Sequence, residues 1–255
     1  MLVPKVLVLT GEGINCEKET AFAFNKAGAE STIMTINELI KNPSRLFDYH
    51  ILALPGGFSY GDEIGSGQVF SLKLKNFMGE ELKKFIAQKR PVIGICNGFQ
   101  ILMKLDVFNI DGHRKMGLAP NRSGKFINKW AGVKVEESSV CLWTKSLKTE
   151  STLPIRHGEG RIVFLKDEEE KSYKTLKDQG QVALTYTQDV NGSYNQIAGV
   201  CDPTGVVFGL MPHPEADLFK ATHAVDNRNP LEKSWGFGIF KNAVDYISKN
   251  EGTWK

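Results

Sequence analysis

Short aliphatic and β-branched runs alternate with helically spaced apolar positions through the first half of the chain. This pattern predicts strands at 5–9, 31–36, 51–54 and 92–95, and helices at 17–27, 80–88 and 98–105, with Gly28 closing the first helix. Such alternation is the mark of an α/β fold with a doubly wound, mainly parallel sheet flanked by helices. From Lys125 onward strands and turns dominate, at 126–135, 140–143, 160–165, 181–185, 197–200 and 206–210, so the sheet is expected to gain antiparallel additions. Asp202-Pro203-Thr204-Gly205 reads as a hairpin turn, because proline pre-sets φ and glycine accepts a positive one. The acid-rich run 166–171 reads as a solvated helix start leading to Leu176. Phe237, Phe240, Val244 and Ile247 recur at helical spacing and predict a final amphipathic helix. With no repeat and no low-complexity linker, one domain over 1–255 is expected.

Composition narrows the function classes. Thirty-two Lys+Arg against 29 Asp+Glu leave a net charge of +3 with no basic run, which argues against nucleic acid as partner. No apolar run approaches the ~20 residues of a membrane span, and the first nine residues read as a strand and not as a leader, so a cytoplasmic protein is expected. Cys16, Cys96, Cys141 and Cys201 contain no Cys-x-x-Cys pair, which disfavours a disulfide framework or a structural zinc site. His50, His113 and His223 lack ligand-type spacing, so no metal is expected. Asn191-Gly192-Ser193 fits a glycosylation pattern but reads more simply as a turn.

The sharpest chemical signal is Gly94-Ile95-Cys96-Asn97-Gly98, where a buried-strand pattern runs directly into a helix. This is the cysteine form of a nucleophile elbow. A sharp strand-to-helix turn exposes the nucleophile, the flanking glycines remove colliding side chains, and the helix N-terminus favours a thiolate. A structural core cysteine needs neither the glycines nor the helix start. A base is supplied by Met211-Pro212-His213-Pro214-Glu215, which presents His213 at the tip of a strand with Glu215 placed to orient it. A third segment, Pro55-Gly56-Gly57-Phe58-Ser59-Tyr60-Gly61-Asp62, follows a strand and lets backbone N–H groups approach a ligand. Ligands collect at the carboxyl ends of parallel strands, so the three loops are expected to converge. Oxyanion donors would be the N–H groups of Gly57 and Asn97.

These segments, with His157-Gly158-Glu159-Gly160, resemble the class I, triad-type glutamine amidotransferases, whose fold is flavodoxin-like. More narrowly, together with Asn15-Cys16-Glu17, Asn121-Arg122-Ser123 and residues 191–199, they resemble the glutaminase subunits of phosphoribosylformylglycinamidine synthases. The resemblance implies a Cys96, His213 and Glu215 triad, an oxyanion hole of Gly57 and Asn97, and glutamine contacts from Gln100 and the Gly158 segment. It also implies a synthetase subunit and a small accessory subunit as partners. The chain shows no phosphate loop, and Thr10 to Asn15 lacks the third glycine of a dinucleotide turn, so ATP and Mg²⁺ are expected on the synthetase and no cofactor here.

Three features depart from that family or are left open by it. Arg156 precedes His157 where a small residue is usual, which is expected to alter contacts near the glutamine, and Ala216 follows Glu215 where arginine is common. The polar segment 217–230 is longer than expected and is given no role. His157 is open between lining the site through its backbone and a structural place, while Cys141 and Cys201 are expected in the core. Two other readings remain at this stage: a Cys-elbow hydrolase or peptidase acting on another substrate, and a docking subunit without catalysis.

Overall fold

A computed structural model describes residues 2–224 and 229–250. In chain order its elements are β1 (Lys5–Thr10), α1 (Glu17–Ala27), β2 (Glu30–Thr35), α2 (Ile36–Lys41), β3 (Ile51–Leu54), α3 (Gln68–Ala87), β4 (Val92–Ile95) and α4 (Asn97–Lys104). There follow β5 (Met116–Pro120), β6 (Ile127–Val135), β7 (Glu150–His157), β8 (Glu159–Phe164), α5 (Glu169–Asp178), β9 (Val182–Tyr186), β10 (Ile197–Cys201), β11 (Val207–Leu210) and α6 (Trp235–Lys249). A nine-stranded sheet runs β2-β1-β3-β4-β11-β10-β9-β6-β7, and β5 pairs with β8 in a separate two-stranded sheet. The strands from β2 to β11 in that order are mutually parallel, and β10, β9, β6 and β7 are added antiparallel. The fold is thus the α/β class read from the pattern, with its antiparallel additions.

Strands β3, β4 and β11 are buried at every position, as parallel strands covered on both faces must be. The path from β1 leads outward to β2, whereas β3 leads the other way to β4, so right-handed crossovers put the connecting helices on opposite faces. Helix α1 packs on α6, and α3 packs on α2 and α4. Phe24 meets Phe240 edge-on at 5.0 Å between centroids, with Trp143 also against Phe24. The described residues hold no helix long and apolar enough to cross a membrane.

The structure corrects several boundaries. The predicted strand at 140–143 is a turn: Val140 N–H donates to Gly180 O, Leu142 N–H to Gly205 O, and one 3₁₀ turn spans Leu142–Thr144. Its apolar residues serve the core without pairing in the sheet, as Trp143 shows by donating to Val206 O at 2.9 Å. Helix α3 starts at Gln68, well before the predicted 80, because Phe70, Leu74, Met78, Leu82 and Phe85 continue one buried stripe across Gly79. Strands β5 and β7 and helix α2 were not anticipated. Strand β7 carries Pro154 in its middle, which an edge strand tolerates because one side needs no ladder. In the polar segment, Asp217 is buried and its carboxylate accepts from Ser234 Oγ and Gly236 N–H, capping α6, while 225–228 lie outside the described residues.

Candidate active site

Register brings the three loops together. Leu210 pairs with Ile95 and Leu54 with Gly94, so β3, β4 and β11 end level with one another. Cys96 follows at once with φ 50 and ψ −102, a left-handed conformation that costs a cysteine ~1–3 kcal/mol. The fold holds it there through Cys96 N–H to Leu210 O (2.8 Å) and Gln100 N–H to Cys96 O (3.0 Å). Glycine is required at 98, where a Cβ would lie 1.9 Å from Leu54 O; at 94 it would lie 2.5 Å from Gly98 O.

His213 leaves the end of β11 and is pinned from an unexpected quarter, since its N–H donates to Pro154 O at 2.8 Å. Its Nδ1 is 2.6 Å from Glu215 Oε1, with both side chains buried. The thiols of Cys96 and Cys16 lie beside the ring, and Nε2 is a buried atom without a directed hydrogen bond. Burial is the largest single influence on His213 and pulls its pKa down. The Glu215 carboxylate, then Cys96 and Cys16, outweigh it and hold the pKa well above the ordinary 6.5.

A cavity of about 250 Å³ opens in front of Cys96, lined by Gly57, Gln100, His157, Gly158 and Glu159 among others. Gly57 has φ 149, and a Cβ there would meet Gly13 O at 2.6 Å, so the loop after β1 lies directly over it. Asn97 is tied down by Ser59 N–H to its Oδ1 and by its Nδ2 to Gln100 Oε1 (2.8 Å). Gln100 in turn donates to Glu159 O at 2.6 Å, which leaves one amide N–H for a ligand. Asp62 and Glu159 also line the cavity, and burial pushes both carboxyls up while Lys104 opposes the rise. Arg156 lines it too, and its carbonyl accepts from Cys96 Sγ at 3.6 Å. The cavity therefore offers carboxyls for an ammonium group and a thiol for the far end of a small amino acid.

The segments that hold Asp62 and Glu159 are expected at the site, but their carboxyls, and the place of Cys16 beside His213, depend on groups far away along the chain. His157 proves structural as well as cavity-lining. Asn121 clamps it, with Oδ1 at 3.0 Å from Nδ1 and Nδ2 donating to its carbonyl at 2.8 Å. Asn191 similarly holds Gly160 O, and Gly192 takes the turn with φ 85. Burial, with His213 nearby, lowers the His157 pKa from 6.5 to about 4. In the unfolded chain His157 binds a proton near pH 6.5, so its contribution to stability is complete above that pH and is lost as pH falls towards 4. The difference corresponds to roughly 3 kcal/mol. Urea titrations between pH 7 and 4 should show this acid loss shrinking in His157→Gln, and an unchanged slope would refute the assignment.

The profile of the CobB/CobQ-like glutamine amidotransferase domain matches residues 3–247. The phosphoribosylformylglycinamidine synthase subunit PurQ of Methanococcus maripaludis (strain C5) is 42% identical, covering 97% of this chain and 100% of the relative. That of Archaeoglobus fulgidus is 36% identical over 96% and 97%. Among solved structures, a chain of PurLQS from Thermotoga maritima superposes with a TM-score of 0.75 at 30% identity, covering 96% of this chain and 100% of that one. A glutamine amidotransferase of the same organism shares the fold, with a TM-score of 0.60 at 15% identity.

Proposed function

The chain belongs to the CobB/CobQ-like glutamine amidotransferase domain family, and from that premise we propose that Cys96, His213 and Glu215 release ammonia from glutamine for a synthetase partner. We infer that it is the glutaminase subunit of a phosphoribosylformylglycinamidine synthase in purine biosynthesis. The synthetase subunit uses the ammonia and ATP to convert formylglycinamide ribonucleotide to its amidine, with a small accessory subunit in the complex. ATP and Mg²⁺ are assigned to the synthetase, and the reaction to the cytoplasm.

The observation that carries this reading is the buried His213–Glu215 pair, 2.6 Å apart, beside a strained cysteine elbow that lines a small cavity. Cys96 Sγ attacks the side-chain amide carbon of glutamine and its proton passes to His213, whose raised pKa suits it to hold that proton. The N–H groups of Gly57 and Asn97 receive the oxyanion. His213 then protonates the departing ammonia, and water attacks the γ-glutamyl thioester with His213 again as base. Asp62 or Glu159 on the α-ammonium, with the remaining Gln100 amide N–H as a further contact, would place the side-chain amide at the thiol. A cavity of about 250 Å³ narrowed by Phe58 and Phe126, 6.1 Å between ring centroids, suits one amino acid better than a polypeptide, which counts against a peptidase. Labelling of Cys96 by a glutamine analogue tests the docking-only reading, since an inert subunit would not be labelled.

The decisive experiment combines the chain with synthetase, accessory subunit, ATP, formylglycinamide ribonucleotide and glutamine, and measures glutamate and amidine together. Glutamate without amidine would refute the assignment to this synthase. The same assay tests regulation. An uncoupled glutaminase wastes glutamine, and the Gly56-Gly57 segment has the backbone freedom to turn its N–H away from the thiol. One oxyanion donor is worth ~3 kcal/mol, so docking should raise glutamate release on the order of a hundredfold over the chain alone. Equal rates would mean that the site is already preorganised.

A further inference from the structure

His213 has a neighbour that the glutaminase chemistry does not use. Cys16, in the loop after β1, offers its thiol to the same imidazole, and ligand atoms of Cys16, His213 and Glu215 all lie within 4.8 Å of one another. At rest the Cys16 thiol is protonated and donates to Asn15 Oδ1 at 3.3 Å. Glu215 Oε2 is buried without a hydrogen-bond partner, so carboxylate lone-pair capacity is unspent there. Gly56 packs against both groups: a Cβ built on it would sit 3.3 Å from Cys16 Sγ and 2.8 Å from His213 Cε1, so only glycine here leaves thiol and imidazole side by side. Cys16 is partly exposed, which gives a route inward that the buried His213 and Glu215 lack.

Thiolate, imidazole and carboxylate gathered this closely form the donor set of zinc-type cations. We propose that Cys16, His213 and Glu215 bind a thiophilic divalent cation, which switches the glutaminase off by taking its base and the carboxylate that orients it. Cys96, also beside the ring, or a water completes four-coordination. The exchange balances in charge, because the entering M²⁺ displaces the Cys16 thiol proton and one imidazole N–H proton to solvent. No oxidant is involved and removal of the metal restores the site. Cys141 and Cys201 are buried in the core, so they do not compete for the cation.

The test separates metal binding from catalysis. The full chain carrying Cys96→Ala is titrated with Co²⁺ alone and the thiolate-to-cobalt absorption band is read. One Co²⁺ per chain with this band is expected, displaced by Zn²⁺ and lost when Cys16→Ser is added. Absence of the band, or its survival after Cys16→Ser, overturns the proposal whether or not the chain hydrolyses glutamine. Should the double variant fail to fold, the assembled enzyme with Cys96 intact decides. There Cys16→Ser, scaled to its own uninhibited rate, should raise the half-inhibiting Zn²⁺ concentration at least about tenfold. An unchanged value would mean that zinc acts through Cys96 alone.

Discussion

Cys96→Ala is expected to lower glutamate release by roughly 10⁴-fold or more, the loss seen when a nucleophile is removed from a unit that works only as a whole. The fold should survive. Alanine at φ 50 carries the same backbone strain as cysteine, the glycines at 94 and 98 still clear the turn, and only one small buried group is lost. Because the substitution deletes the ammonia source and nothing else, free ammonia at high pH should still drive amidine formation by the assembled enzyme at near wild-type rate. Glutamate release and ammonia-dependent synthesis measured on one preparation check both halves. Full glutamine turnover by Cys96→Ala would remove Cys96 from the chemistry, and loss of the ammonia reaction would mean that the variant disturbs docking.

His213→Ala is expected to cost roughly 10⁴-fold in glutamate release, and Glu215→Gln about ten- to a hundredfold less, since the carboxylate orients the base but does not carry the proton. Protein stability gives an independent readout with a definite sign. The His213 pKa is raised on folding, so the His213–Glu215 pair adds stability that is complete below pH 6.5 and is lost as pH rises through the folded value. Glu215→Gln removes the main group that raises it, and the buried imidazole then resists protonation. Thermal midpoints of wild type and Glu215→Gln should differ most near pH 6 and converge as pH rises above the folded His213 pKa. A gap that widens with pH would contradict the pairing, and greater residual activity in His213→Ala than in Glu215→Gln would reverse the roles.

The residues that were legible in advance are those whose reasons are local. A buried tetrad running into Gly-x-Cys-x-Gly specifies β4, the elbow and α4 together, and β3 and α1 have the predicted ends because Pro55 and Gly28 terminate them where they stand. Strand β7 was hidden by Pro154, whose cost depends on its neighbours in the sheet: at an edge the proline is harmless, and its carbonyl is free to hold His213. The strand expected at 140–143 failed for the opposite reason, because its apolar residues fill the core while their N–H groups bond to turns. Asp62, Glu159 and Cys16 are ordinary residues in sequence. They become part of the site only when the loops after β1 and β3 and the start of β8 meet over the ends of β4 and β11, which no short window of sequence contains.

Strand β11, at Val207–Leu210, sits between β4 and β10 in the middle of the sheet although it is among the last elements made. During synthesis on the ribosome, every strand that precedes it emerges while the slot beside β4 is still open, and the chain cannot close its sheet until Leu210 has left the exit tunnel. His213 and Glu215 arrive only then. A nascent or truncated chain therefore holds a thiol but no base, so glutamine cannot be hydrolysed before the sheet that anchors both is complete. The same placement leaves the bare edge of β4 exposed from its own synthesis until β11 is made, with that of β10 joining it only at the end, which makes the interval before β11 inserts the period of greatest risk for misassociation with other nascent chains.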